Sequence, residues 1–126
     1  MDSAGITQVE ASAGYGRREV HMAASNGFSG GYARNSHSVS AVAFTGSGTG
    51  MERDYAGEGR IFAADMPSAA GIGALAAERA LARAGAVQPK TGTYPVLFDE
   101  RVASSLIGHL TSAINGAAIA RGQSWL

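Results

Sequence analysis

The sequence predicts an α+β fold, with an antiparallel sheet of hairpin-connected strands in the first half, then helix, strand, helix. Three observations carry that prediction. Side-chain character alternates with period two between Arg17 and Arg60, and it changes to helical spacing after Pro67. The breaks between runs fall at Asn, Gly and Pro. Strand-like runs this close together connect as hairpins, because a parallel crossover needs a far longer link.

The first run, Arg17 to Ser25, places Arg18, Val20 and Met22 on one face and Glu19, His21 and Ala23 on the other. Ser25-Asn26-Gly27 is turn chemistry, since Asn and Gly tolerate positive φ. From Phe28 to Phe44 the alternation is cleaner: Ser36, Ser38 and Ser40 fall on one face, and His37, Val39, Ala41 and Ala43 on the other. Gly46-Ser47-Gly48-Thr49-Gly50 marks a second hairpin loop, from which Met51 to Arg60 returns as a third strand.

Pro67-Ser68 then opens a helix in which Ile72, Leu75, Ala76, Arg79 and Ala80 keep helical spacing, and Gly85 stops it. Gln88-Pro89-Lys90-Thr91-Gly92 combines polar residues with both chain breakers and reads as a domain boundary. Tyr94 to Phe98 is an apolar run of strand length. Asp99 caps a final helix whose stripe is Val102, Leu106, Leu110, Ala113, Ile114 and Ala117. The chain closes on Gln123-Ser124-Trp125-Leu126 with no capping element, which reads as a cut rather than an end.

Composition narrows the function classes. Ten Lys/Arg balance ten Asp/Glu over 126 residues. A neutral chain with scattered cations does not suit nucleic acid, which needs a basic face to displace counterions. With no cysteine, disulfides, thiol catalysis and thiolate metal sites are excluded. Met1 to Glu10 has neither the basic start nor the apolar run of a secretory signal. The stretch Val102 to Ala120 is interrupted by His109, Asn115 and two glycines, so it reads as a buried helix and not a membrane span. Eighteen glycines against one Trp and four Phe imply a core built by close backbone approach rather than by large rings.

Ala11 to Ala43, with SNGFSGGY at Ser25 to Tyr32, MERDY at Met51 to Tyr55, IGALAAERALARAGA at Ile72 to Ala86, and TGTYPVLFD at Thr91 to Asp99 occur in one order. Together with the helix that follows, they resemble the TldD/PmbA family (modulator of DNA gyrase; metallopeptidase), and within it the PmbA/TldE-like branch. The resemblance runs from about Val9 to Leu126, the central portion of such a subunit. It implies a central domain over 1–89, an antiparallel sheet plus helix, and over 90–126 the opening strand and helix of a truncated C-terminal domain.

The family's members are cytoplasmic proteins. The resemblance implies a TldD-like sister subunit in a hetero-oligomer, or a homo-oligomer, around a protected active site. It implies peptide substrates that are unfolded or short, and a link to microcin maturation and antitoxin turnover; nucleic acid and membrane are set aside by the charge balance and the broken apolar stretch described above. In the TldD branch an H-E-x-x-x-H helix holds zinc between two histidines, and its Glu accepts a proton from the metal-bound water. Aligned on the shared R-G-x-S, here Arg121 to Ser124, the motif's slots fall on Ile107, Gly108, His109, Leu110, Thr111 and Ser112. No slot that needs His or Glu has it. The resemblance therefore implies a non-catalytic partner, with no cofactor in this chain and zinc in the sister TldD-like subunit.

Other residues invite chemistry of their own. His21 and His37 would face each other across a hairpin, yet two histidines without a carboxylate at set spacing are ordinary structural residues more often than ligands. His109, beside Leu106 and Leu110, reads as a packing histidine. No G-x-S-x-G elbow exposes a serine for a Ser-His-Asp triad. Gly46-x-Gly48-x-Gly50 and Gly71-x-Gly73 lack the full phosphate-loop patterns and read as turn and helix-entry glycines. Glu52 and Asp54 share one face of the third strand and Arg53 takes the other, either as a solvated strand edge or as an interface or peptide contact. Phe28, Tyr32 and Arg34, around the glycines at 27–31, either pack the hairpin or line a surface where another backbone approaches. Besides the partner-subunit reading stand a self-sufficient hydrolase and a module that binds peptide at a sheet edge.

Overall fold

The structure is a computed structural model that describes residues 4–126. Three strands, β1 (Ile6–Ala23), β2 (Ser29–Thr45) and β3 (Glu52–Arg60), form one antiparallel sheet in the order β1-β2-β3. Three helices follow: α1 (Ala69–Ala82), α2 (Glu100–Ala113) and α3 (Gly116–Ala120). The α+β class is as read from the sequence. The chain divides into two compact units between Gln88 and Pro89.

In the first unit, β1 and β2 form a long hairpin turned at Ala24 to Phe28. Gly27 takes a φ of 89°, its amide donates to the Ala24 carbonyl at 3.0 Å, and Asn26 Oδ1 accepts from the Phe28 amide at 3.1 Å. From Ala23↔Ser29 to Gln8↔Phe44 every residue pairs with its mirror image about Asn26. β3 pairs with β2 only from His37↔Arg60 to Thr45↔Glu52. The distal half of the hairpin is thus a two-stranded ribbon reaching beyond β3. β1 begins at Ile6, well before the run starting at Arg17, because Ala11 to Gly16 gain strand geometry from pairing with β2 rather than from any alternation of their own.

Helix α1 opens at Ser68, whose hydroxyl accepts from the Gly71 amide at 3.1 Å, and the chain leaves it through Gly85 at a φ of 74°. Ile72, Ala76, Ala77 and Ala80 pack on Ala41, Ala43 and Ala56 of the sheet, with Ile6 and Val39 at the margin. Alanine dominates both surfaces, so the helix sits close to the sheet. Leu75 stays at the rim, 37% exposed, while Ala77 takes the inner position.

The second unit holds α2 and α3. Asp99 caps α2 through the Arg101 amide at 2.9 Å, and Asn115 caps α3 through the Ala118 amide at 3.1 Å. The single continuous helix read through Ala117 is therefore broken at Ile114–Asn115, where the Asn side chain starts a new helix. Ser124 Oγ donates to the Ala113 carbonyl at 2.6 Å and folds the chain end back.

Two further expectations fail in this unit. Tyr94 to Phe98 forms no strand, because the unit offers no strand to pair with and Pro95 has no amide hydrogen. The last helix is not buried: Val102, Leu106 and Leu110 are each nearly half exposed, and Ala113 is the one buried residue among those described in the unit. No helix is long and apolar enough to cross a membrane among the described residues.

Candidate functional site

Register decides which side chains share a surface. Residues directly opposite in an antiparallel pair point to the same face. The odd-numbered residues of β2 face α1, and Ala41 and Ala43 are buried there. The even-numbered ones form the opposite face, on which no element of the first unit packs. Its centre is small and polar. Ser12 pairs with Ser40, Gly14 with Ser38, Gly16 with Ser36, and Gly57 and Gly59 lie beyond on β3. The Ser12 and Ser40 hydroxyl oxygens are 2.8 Å apart. A Cβ added at Gly14 or Gly16 would come within 2.8 or 2.9 Å of the Ser38 or Ser36 hydroxyl, so glycine keeps this surface flat.

The six residues singled out from the sequence divide between the two faces. Glu52 and Asp54 face α1. Glu52 Oε2 lies 3.4 Å from Arg83 Nε, and Asp54 is buried and accepts from the Tyr55 amide at 2.7 Å. Asp54 is thus no solvated edge carboxylate; packing of α1 covers it, and hydrogen bonding offsets its desolvation. Arg53, Tyr32 and Arg34 lie on the open face. Phe28 sits half exposed at the hairpin tip.

A seventh residue joins them. Arg18 lies directly across from Arg34. Its role is invisible in strand alternation alone, yet a turn centred on Asn26 already implies the pairing. The side chains of Arg18, Arg34 and Arg53 make no ion pair or hydrogen bond among the described residues, and all three lie on the open face. By contrast Arg17 pairs with Glu19, Arg60 with Glu58, Arg83 with Glu52 and Arg101 with Asp99. The open face's one acid on the strands is Glu10, bonded to Gln8 Nε2 at 3.0 Å.

The histidines do not assemble a metal site. His37 pairs with Tyr15 and His21 with Gly31, six positions further along the ribbon, or about 20 Å at the strand rise. They do not face one another as expected. His37 instead meets Tyr15 with ring centroids 5.0 Å apart and planes tilted by 45°, and His21 Nε2 lies 3.3 Å from Ser29 Oγ with no carboxylate bonded to the ring among the described residues to complete a triad. His109 is exposed on α2. No group of three or more His, Cys, Asp or Glu able to hold a metal occurs among the described residues.

Ile107 to Ser112 lie wholly within α2, so the two histidine slots, 107 and 112, stand about 140° apart around the helix. The slots carry one His, no Glu and no second His.

Comparison with known proteins bears on the same regions. Residues 1–84 match the PmbA/TldA metallopeptidase central domain, and residues 91–126 match the PmbA/TldA metallopeptidase C-terminal domain. The chain is 34% identical over 102 residues to Metalloprotease PmbA of Escherichia coli O157:H7, a match that covers 81% of this chain and 23% of that protein. A Bacteroides thetaiotaomicron protein named as a modulator of DNA gyrase superposes with a TM-score of 0.80 at 30% identity, over 93% of this chain and 27% of the other. The chain thus spans about a quarter of the length of each.

Proposed function

The chain belongs to the PmbA/TldD metallopeptidase family, and from that membership we propose that it serves as the non-catalytic, TldE-like partner portion of a zinc peptidase acting on unfolded or short peptides. One observation carries the reading. Where the family resemblance places H-E-x-x-x-H, α2 presents Ile-Gly-His-Leu-Thr-Ser at 107–112. A lone His cannot chelate zinc as the paired histidines do, and without a Glu no group at these positions accepts the proton of a metal-bound water. The metal chemistry then resides in a TldD-like sister subunit, in a cytoplasmic hetero-oligomer. This chain contributes a rigid sheet-and-helix body, not a reacting group.

The test is metal content together with partnering. After exhaustive dialysis against metal-free buffer, the purified chain is expected to hold less than about a tenth of a zinc per molecule, and a co-expressed TldD-like subunit to co-purify with it and carry the zinc. Near-stoichiometric zinc on this chain alone would sink the reading.

A second reading, a peptide-binding module without proteolytic role, is favoured by β1. This edge strand of 18 residues offers its outer backbone groups to another chain. Peptide affinity that persists without any sister subunit would favour it.

A further inference from the structure

The open face of the hairpin ribbon holds an arrangement that the fold does not explain. Arg18 on β1 and Arg34 on β2 are direct cross-strand partners, and both are exposed. Like charges directly opposite one another destabilise a strand pair. Neighbouring arginines avoid such a cost with local carboxylates: Arg17 has Glu19 and Arg60 has Glu58. Arg18 and Arg34 have none among the described residues. The only strand acid on their face, Glu10, lies eight positions from Arg18 along β1, about 27 Å at the strand rise.

The surroundings of the pair have the makings of a site. On one side Gly16 and Ser36 leave a hollow, which is lined by Arg18, Tyr32 and Arg34 as well. On the other side Val20 pairs with Tyr32 and Met22 with Gly30 on the same face. Val20, Met22 and Tyr32 are 38%, 59% and 60% exposed, a small apolar platform next to two cations. Guanidinium groups present planar forks of N–H donors that match the two oxygens of a carboxylate, and two of them can grip one oxyanion from adjacent strands.

We propose that Arg18 and Arg34 form a binding site for the terminal carboxylate of a peptide whose last side chain is apolar. The carboxylate sits between the two guanidinium forks, and the side chain lies on Val20 and Tyr32. An anion here removes the repulsion between the arginines, so binding also stiffens the ribbon. Choosing a peptide carboxylate over other oxyanions rests on the peptidase reading above; the two-arginine geometry itself does not.

The experiment is an NMR titration of the full 126-residue chain that follows the arginine Nε–Hε signals. The probes are a short peptide ending in Leu with a free carboxylate, the same peptide amidated, the same peptide ending in Gly, and inorganic phosphate. The free-acid Leu peptide is expected to shift the Arg18 and Arg34 signals saturably. The amide is expected to bind at least tenfold more weakly, and the Gly peptide several-fold more weakly. R18Q and R34Q are each expected to lose about tenfold in affinity while keeping the amide spectrum of the sheet, and R53Q to lose nothing.

Equal binding of acid and amide, or undisturbed Arg18 and Arg34 signals in the unmutated chain, would overturn the proposal. Phosphate binding as tightly as the free-acid peptide would overturn its peptide source. A chain that binds the free-acid peptide yet carries stoichiometric zinc would keep this site and lose the non-catalytic reading. A zinc-free chain that ignores the peptide would do the reverse.

Discussion

Arg79 of α1 donates from Nη1 to the backbone carbonyl of Tyr55 at 3.1 Å, tying the helix to the edge strand β3. The residue before Tyr55 is the buried Asp54, so this contact lies where the helix covers the sheet's one buried carboxylate. Hydrogen bonds to charged groups contribute about 1.5–3 kcal/mol when shielded from water. Arg79 is partly exposed, which reduces that figure. Arg79→Met is therefore expected to lower stability by about 1–2 kcal/mol. The check is a lower urea midpoint at an unchanged slope; a midpoint equal to that of the parent would mean the tether contributes nothing.

The interface between α1 and the sheet is expected to be intolerant of added volume. Ala43, Ala76 and Ala80 have no exposed surface, and no large side chain is fully buried among the described residues. Ala76→Leu would push the helix off the sheet, at about 1–3 kcal/mol for overpacking. Thermal unfolding is the measurement, and a Tm within a degree of the parent would show that the contact is looser than described.

Gly31 sits where a Cβ would fall 2.2 Å from the Val20 carbonyl oxygen. No side-chain rotation relieves a clash with backbone. Gly31→Ala is expected to loosen the distal ribbon while leaving the helix-covered half of the sheet intact. Hydrogen exchange should then be at least tenfold faster at amides 18–23 and 29–34 and unchanged at 39–45. Unchanged exchange throughout would count against the pairing of Gly31 with His21.

The two units are expected to differ in self-sufficiency. All buried core residues of the sheet and α1 lie before Gln88, whereas the unit after it buries Ala113 alone among its described residues. A chain ending at Gln88 should unfold cooperatively and retain protected sheet amides, while residues 89–126 by themselves should show no protection. Protected amides in the isolated second unit would contradict this.

Much of the fold was legible because it rests on local chemistry. Asn26-Gly27 declared the first turn, the Ser36-Ser38-Ser40 alternation declared the two faces of β2, and Ser68 and Asp99 declared the starts of α1 and α2. Two of the failures share one cause. Ala11 to Gly16 joined a strand, and Tyr94 to Phe98 did not, because a strand exists only with a partner whose hydrogen bonds it completes. The sequence of either segment says little about whether that partner is present.

The candidate site was legible only in part for a similar reason. Tyr32 and Arg34 are marked by their types and their glycine-rich surroundings, and Arg53 by its place between Glu52 and Asp54 on the third strand. The meeting of Arg18 with Arg34, and the distance between His21 and His37, follow from register across a hairpin, in which residues far apart in the chain become neighbours.

By itself the sequence determined the α+β class, the hairpin turns, the caps of α1 and α2, the family, and the missing zinc donors in α2. Each of these depends on residue identity at fixed short spacing. Only the tertiary structure decided that Asp54 is buried under α1 and that the side chains of Arg18, Arg34 and Arg53 have no partner among the described residues on the open face. The meeting of the arginines depends on register across the hairpin, and the burial of Asp54 on which face the helix covers. That choice is made by the whole alanine-lined interface of Ala41, Ala43, Ala56, Ala76 and Ala80, where close packing wins and the charged face is left to solvent.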